Sequence, residues 1–144
     1  MPANRREFLG AALALMAATR AAQSQAARRT QVALLGDSVF DNASYVKPRA
    51  DVPTLLRQRL PDAGVILLAR DGGRMADVPL QLAQLPARTT HLVISVGGND
   101  ALDRAGVLDA TALDAADAFR VLADIVEVFE DGYRRMLGAV LKAG

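Results

Sequence analysis

Two short polar blocks each follow directly on an apolar run and place reactive side chains at its end. Gly36-Asp37-Ser38 follows Gln31–Leu35, and Gly97-Gly98-Asn99-Asp100 follows His91–Val96. A serine at the end of a buried strand can turn both its hydroxyl and its backbone N–H toward a ligand crevice. At average composition, Gly-Asp-Ser arises by chance in ~4% of chains of this length and Gly-x-Asn-Asp in ~2%. Their joint occurrence in this order therefore indicates a shared ligand site.

A third block, Asp71-Gly72-Gly73, lies between these two in the sequence and follows Val65–Ala69. Gly73 has no Cβ, so a backbone N–H there can approach a ligand closely. All three blocks thus stand at the ends of apolar runs, which is where open parallel sheets bind their ligands.

The elements that must position these blocks alternate between short apolar runs and longer amphipathic ones. The predicted strands are Gln31–Leu35, Val65–Ala69 and His91–Val96, and helices are predicted over 51–61, 77–85 and 119–140. This alternation predicts an α/β fold, with a doubly wound, flavodoxin-like parallel sheet in three α/β/α layers. About three strands are present where such sheets usually have about five, so the sheet is expected to be incomplete.

Apolar spacing also predicts which helical faces are buried. The second helix should bury Leu80, Leu82 and Leu85, and Pro79 fits its first turn. In the last helix, the residues that share one face are Phe119, Leu122, Val126, Phe129, Tyr133, Leu137 and Val140. Gly132 and Gly138 lower the intrinsic helix propensity there, so a bend or break is a further expectation.

Residues 1–27 have the order of a signal peptide of the twin-arginine type. Arg5-Arg6 precedes an apolar stretch from Leu9 to Thr19, and a small-residue tract ends at Ala27. The stretch is shorter than the ~20 residues that span a bilayer, so no stable membrane span is expected. Export from a bacterial cell, to the periplasm or beyond, is predicted. An ordinary N-terminal amphipathic helix is the alternative.

Composition excludes several functional classes. The 144 residues suffice for one domain, and the formal net charge of +1 gives no sign of a nucleic-acid partner. There is no cysteine, and a single histidine with scattered carboxylates does not form a metal site. Neither glycine-rich nucleotide signature is present, so no cofactor is predicted and a flavodoxin-like cofactor module has little support.

The three blocks resemble those of the SGNH hydrolases, also called the GDSL esterase and lipase family. The resemblance rests on Gly36-Asp37-Ser38-Val39-Phe40-Asp41-Asn42 and Ser95-Val96-Gly97-Gly98-Asn99-Asp100, and it covers most of the chain after Gln31. The block Ala69-Arg70-Asp71-Gly72-Gly73 is the least typical, because the family more often has Asn-x-Gly-x-x-Gly there. Gly73 is taken as the functional glycine, with Gly72 as the competing alignment.

The resemblance implies hydrolysis of carboxylic esters through an acyl-serine intermediate. Ser38 would be the nucleophile, and its backbone N–H, the N–H of Gly73 and the amide of Asn99 would form the oxyanion hole. Asp37 and Asp100 would brace their loops rather than carry protons. A small-molecule ester of a lipid or carbohydrate would be the substrate, and the sequence does not distinguish between these.

The family's C-terminal Asp-x-x-His block, which supplies its base, has no counterpart before Gly144. His91 opens the third strand, and at ~3.3 Å per residue it lies about 20 Å from the site. Residues 28–144 are therefore expected to be the N-terminal part of an SGNH domain, inactive by itself. A noncatalytic ligand-binding remnant is the alternative. The third strand is expected to leave an unpaired edge, through which the chain could self-associate.

Overall fold

Residues 30–109 and 114–143 are described by a computed structural model of the chain. The signal peptide predicted over 1–27 lies outside these residues. Within them, no helix is long and apolar enough to cross a membrane.

The sheet has three parallel strands, β1 (Gln31–Gly36), β2 (Gly64–Leu67) and β3 (His91–Ser95). Their order is β2-β1-β3, so β1 pairs with a strand on each side. All six residues of β1 are buried, which agrees with its continuous apolar sequence. Because the strand order reverses at β1, the carboxyl ends of β1 and β3 flank the switch point, where such sheets bind ligands.

Five α-helices accompany these strands in the described ranges. They are α1 (Ala43–Val46), α2 (Val52–Arg59), α3 (Val78–Leu82), α4 (Gly98–Leu102) and α5 (Ala115–Ala143), with 3₁₀ turns at Met75–Asp77 and Ala105–Asp109. The start of α2 is as predicted: Asp51 Oδ1 accepts a hydrogen bond from the Thr54 N–H at 3.0 Å, and Pro53 lies in the first turn. This is the usual way in which an aspartate satisfies an unpaired N–H at a helix start.

Side chains of β1 alternate between the two faces of the sheet and enter two apolar cores. On one face, Ala33 and Leu35 pack in a cluster that also contains Met75, Val78, Leu82 and Met136. On the other face, Val32 and Leu34 pack with Val65, Phe40, Leu56 and Leu67. Helices α3 and α5 thus cover one face and α2 covers the other. The predicted α/β fold, with three parallel strands and helices on both faces, is confirmed.

Strand β2 and helix α3 are among the predicted elements that are shorter in the structure. Strand β2 ends at Leu67, because the N–H groups of Leu68 and Ala69 both turn to the Leu34 carbonyl, each at 2.8 Å. Helix α3 ends at Leu82, three residues before the predicted end. Its predicted face was also partly wrong, since Leu80 is 68% exposed whereas Gln81 is only 2% exposed.

Helix α5 is continuous through Gly132 and Gly138, so the expected bend is not seen. Its predicted apolar face was only partly right. Met136 is 3% exposed and is the most buried residue of the helix, whereas Phe119 is 73% exposed. The packed face includes Gly132, which lies against Met75: a Cβ on Gly132 would be 3.2 Å from the Met75 Cε atom. Met136, one turn further along the helix, packs in the same cluster as Met75 and the sheet residues Ala33 and Leu35.

Candidate functional site

The carboxyl end of β1 is held against β3 at a position that only glycine can occupy. Gly36 has φ +120°, and a Cβ placed on it would lie 1.7 Å from the Ser95 carbonyl oxygen. The Asp37 N–H donates to that same oxygen at 3.0 Å. The chain segments that leave β1 and β3 therefore start side by side.

Ser38 lies in the tight turn that follows Gly36. The turn is organised by Asp37, which is buried and whose Oδ1 accepts a hydrogen bond from the Val39 N–H at 3.0 Å. The Asp37 carbonyl accepts the N–H groups of Phe40 and Asp41 at 3.2 and 3.1 Å. Ser38 itself is half-buried, and in the described part of the chain neither its hydroxyl nor its N–H has a hydrogen-bond partner. Both groups are thus available to a ligand.

Gly73 packs directly against the end of β1. A Cβ on Gly73 would lie 2.5 Å from the Gly36 carbonyl oxygen, so the two backbones touch only because the side chain is missing. The competing Gly72 is exposed, and a Cβ there would meet nothing within 4 Å. The Gly73 N–H donates to the Arg70 carbonyl at 2.9 Å and closes a turn. A ligand oxygen would have to share this N–H with Arg70.

Asn99 reaches Gly73 from the start of α4. Its side-chain Nδ2 donates to the Gly73 carbonyl at 2.9 Å. An amide nitrogen has two hydrogens, so this contact orients the group and leaves the second N–H for a ligand. Gly97, with φ +113°, turns the chain from β3 into α4 against the ring of Phe129. The structure therefore brings Gly73 and Asn99 into contact, at the edge of the sheet where Ser38 also lies.

The two aspartates beside the predicted site residues accept backbone hydrogen bonds. Asp37 binds the Val39 N–H, as described above, and Asp100 Oδ2 accepts the Met75 N–H at 3.1 Å. This is the loop-bracing geometry expected from the sequence. The Asp100 bond joins the segment after β2 to α4, and so links the loops that carry Gly73 and Asn99.

A charged pair joins the same two segments. Arg74 donates to both carboxylate oxygens of Asp103, at 2.7 Å from Nε and 3.0 Å from the terminal nitrogen. The hydrogen bonds from Arg74 lower the pKa of Asp103, and Asp103 in turn raises the pKa of Arg74. Both side chains therefore stay charged across the ordinary range of pH.

Gln81 is a buried polar residue that the sequence analysis missed. Its Oε1 accepts the Gly36 N–H at 2.7 Å, and its Nε2 donates to the Gly36 carbonyl at 2.9 Å. One side chain thus fixes both polar groups of the residue where β1 ends, two positions before Ser38. The partners are 45 residues apart in the sequence, so no local pattern indicates the contact. The one available signal is that Gln81 lies between the apolar residues Val78 and Leu82.

A second missed cluster ties the loop after β1 to the loop after β2. The Tyr45 hydroxyl donates to Asp71 Oδ2 at 2.7 Å, and the Asp71 N–H donates to Asp41 Oδ2 at 2.9 Å. The hydrogen bond to Asp71 raises the pKa of Tyr45. Tyr45 is therefore neutral at neutral pH, and its hydroxyl donates the hydrogen bond that joins the two loops.

His91 is far from these groups, as the sequence analysis expected. It is exposed and pairs in register with Val32, six residues before Ser38. At ~3.3 Å per residue this separation is about 20 Å, beyond the reach of a proton transfer. His91 Nδ1 contacts the neighbouring Thr90 hydroxyl at 2.9 Å. It is the chain's single histidine.

A cavity of about 430 Å³ lies next to this region without containing Ser38. It opens between α4, the 3₁₀ turn after Gly73 and α5. Its walls include Met75, Asp100, Arg104 and Phe129. In residues 30–109 and 114–143 no three histidine, aspartate or glutamate side chains are grouped so as to hold a metal ion.

Comparison with known proteins finds similarity among solved structures. Two of them are AlinE4, described as an SGNH-hydrolase family esterase, and a point mutant of the same esterase. Each is 21% identical to this chain, over 72% of it and 55% of the esterase, with TM-scores of 0.42 for AlinE4 and 0.44 for the mutant. This chain thus spans about half the length of those esterases. No protein-family model and no curated protein matches the chain.

Proposed function

We propose that this chain carries the nucleophile and oxyanion side of a carboxylic-ester hydrolase of the SGNH type. One observation carries the proposal: two groups suited to this chemistry lie at the same edge of the sheet. One is a serine that has no hydrogen-bond partner in the described residues, and the other is an oriented side-chain amide. Ser38 follows β1, and its hydroxyl and backbone N–H have no hydrogen-bond partner in the described residues. The Asn99 amide is oriented by its hydrogen bond to the Gly73 carbonyl. The sequence blocks around these residues support the same family.

In the proposed reaction, Ser38 Oγ attacks the ester carbonyl carbon and loses its proton to a base. The carbonyl oxygen becomes an oxyanion, which the Ser38 N–H and the second N–H of Asn99 stabilise. The Gly73 N–H joins them while it is shared with Arg70. Each such donor typically contributes ~3–4 kcal/mol to the transition state. The tetrahedral intermediate collapses to the acyl-serine, and the protonated base gives its proton to the leaving alkoxide, which departs as an alcohol. The base then takes a proton from water as the water attacks the acyl-serine, and returns that proton to Ser38 Oγ when the carboxylate is released.

The base is the part of this reaction that no described residue supplies. A base must come within about 3 Å of the hydroxyl, and His91 lies at the opposite end of β3. Asp37 is the nearest carboxylate in the sequence, but it is buried, its Oδ1 accepts the Val39 N–H, and no hydrogen bond joins it to the Ser38 hydroxyl in the described residues. We therefore expect the isolated 144-residue chain to have negligible turnover.

The same observation favours a second function, in which the site binds a ligand without chemical conversion. An oxyanion-type pocket without a base still holds a carboxylate or a similar anion. This alternative differs from the first in one property, which is whether the Ser38 hydroxyl can be acylated when a base is provided.

Chemical rescue with imidazole distinguishes these two functions. The purified chain is incubated with a p-nitrophenyl ester and increasing imidazole, and the rate of the Ser38→Ala variant is subtracted as the background of free imidazole. We expect a Ser38-dependent rate and an acyl adduct on Ser38 by mass spectrometry. Ser44→Ala, at an exposed serine of α1, should behave as the unaltered chain does. A rate that is the same in Ser38→Ala would reject the hydrolase and leave the binding function.

The proposal extends to location and assembly. We propose that residues 1–27 direct export by the twin-arginine route, so that the substrate is an extracytoplasmic lipid or carbohydrate ester. Replacing Arg5 and Arg6 by lysine in a reporter fusion should abolish export.

We also propose that the edge of β3 that pairs with no described strand mediates self-association. A sedimentation coefficient independent of protein concentration would contradict that.

A further inference from the structure

The segment after β2 and helix α4 are joined by side chains that contact no predicted ligand group themselves. We call Arg74, Asp100 and Asp103 the loop clasp. Arg74 donates two hydrogen bonds to Asp103, of 2.7 and 3.0 Å, and Asp100 accepts a hydrogen bond from the Met75 N–H at 3.1 Å. Three bonds therefore cross between segments that are about 25 to 29 residues apart in the sequence.

The clasp residues are direct neighbours of the predicted oxyanion donors. Arg74 follows Gly73, and Asp100 follows Asn99. Asp103 is one helical turn beyond Asn99 and its N–H donates to the Asn99 carbonyl at 3.0 Å. A change in the separation of the two segments would therefore move Gly73 and Asn99 relative to one another. The single bond between those two, from Asn99 Nδ2 to the Gly73 carbonyl, would respond first.

The exposure of the Arg74–Asp103 pair argues against a mainly structural role for that pair. The side chains of Arg74 and Asp103 are 47% and 50% exposed, and ion pairs of this kind contribute little to global stability. Their two-bond geometry is directional, however, because a planar guanidinium matches a carboxylate in one orientation. The backbone of Arg74 is also held in place, since its backbone N–H donates to Asp77 Oδ2 at 2.8 Å. The pair is thus placed to set a distance rather than to stabilise the fold.

We propose that the loop clasp positions the Asn99 amide against Gly73 and so sets the geometry of the oxyanion hole. The use of that geometry for an ester rests on the proposed function. The positioning itself is a property of the unliganded chain. Arg74, Asp100 and Asp103 are in this sense positioning residues, because none of them reaches the reacting atoms.

The test is the nuclear magnetic resonance signal of the Asn99 side-chain NH₂ group in the ¹⁵N-labelled chain. We expect Arg74→Ala to shift both of its proton resonances and to raise their exchange with water about tenfold, the change that corresponds to 1.4 kcal/mol. Arg74→Lys should give much of the same change, because an ammonium cannot form the two-bond contact. Exchanging the partners, as Arg74→Asp with Asp103→Arg, should restore the original signals in large part.

The matched control is a second, more exposed ion pair that lies away from the site. Arg134 pairs with Glu130 on α5, with side chains 71% and 56% exposed. Arg134→Ala should leave the Asn99 signals unchanged. Unaltered Asn99 signals in both Arg74→Ala and Asp103→Asn would overturn the proposal, and so would an equal shift in Arg134→Ala.

This outcome is separate from that of the imidazole rescue. If Asn99 moves with the clasp but Ser38 is never acylated, the positioning role stands and the hydrolase proposal fails. If both succeed, Arg74→Ala should also lower the rescued acylation rate while leaving the half-saturating imidazole concentration unchanged. An unchanged rescued rate beside a shifted Asn99 would show that the clasp positions the amide without a catalytic consequence, and would overturn the oxyanion-hole part of the proposal.

Discussion

The carboxyl edge of the sheet and the outer helical surfaces use the same residue types for different purposes. At the edge, Gly36 permits a backbone contact and Gln81 binds the peptide groups of that glycine. On the outer surface, Gly138 of α5 borders open space, and Gln84, in the turn after α3, makes one exposed hydrogen bond to the Leu80 carbonyl. Glycine and glutamine at the edge therefore hold the geometry of a site, whereas we expect the same residue types on the outer surface to be replaceable.

The largest expected effect is on the free energy of unfolding, and it distinguishes Gly36 from Gly138. Gly36→Ala places a Cβ 1.7 Å from the Ser95 carbonyl oxygen in a backbone conformation that L-residues rarely adopt. We expect a loss of about 4 kcal/mol or more in the free energy of unfolding, which marks the upper range for single substitutions. Urea denaturation followed by circular dichroism measures it.

Gly138→Ala is the matched control and should have the opposite sign. This glycine is in the interior of α5, and a Cβ on it would meet nothing within 4 Å. Replacing it should stabilise the helix by up to about 1 kcal/mol. A destabilisation of similar size in both variants would remove the distinction between the edge and the helix.

The next largest effect on stability distinguishes Gln81 from Gln84. Gln81→Leu keeps the size of the side chain but leaves the buried Gly36 N–H without its acceptor. An unsatisfied buried group of this kind costs about 1–3 kcal/mol, measurable as a lower denaturation midpoint. Gln84→Leu should change stability by less than about 0.5 kcal/mol, as is usual for surface positions. Equal effects at Gln81 and Gln84 would contradict the assigned role of the buried amide.

The smallest expected effect concerns the start of α2, where the chain returns from the loop after β1. Asp51 caps this helix, and the Val52 N–H donates to Asn42 of that loop at 3.0 Å. Asp51→Ala should cost about 1 kcal/mol at neutral pH, as for other helix caps. Asp62→Ala, at an exposed position after the helix, serves as the control and should cost less.

The same variant gives a pH dependence with a defined sign. Hydrogen bonds from Thr54 lower the pKa of Asp51 below its ordinary value. The unfolded chain therefore takes up this proton at a higher pH than the folded one, and the contribution of Asp51 is present above the ordinary pKa. It disappears as the pH falls through the lowered value. The stability difference between the unaltered chain and Asp51→Ala should thus shrink in acid, and a constant difference would be inconsistent with the cap.

Much of the fold was predictable because its signals are local. Continuous apolar runs identified all three strands, and the Asp51 cap with Pro53 identified the start of α2. The exposed faces were harder to predict. Leu80 was expected to be buried but is exposed, and Gln81 is buried beside it, because the hydrogen bond of Gln81 to Gly36, 45 residues away, outweighs the apolar pattern of a short helix. A contact of that range leaves no periodicity in the sequence.

The candidate site was also predictable only in part, for the same reason. Local glycine-containing blocks mark the strand ends, so it was predictable that Ser38, Gly73 and Asn99 follow three strands. The way these residues meet was not predictable: the Asn99 amide binds the Gly73 carbonyl, Gly73 packs against Gly36, and Arg74 pairs with Asp103. These contacts depend on the order β2-β1-β3 and on the register of the strands, which arise from packing between segments distant in the sequence.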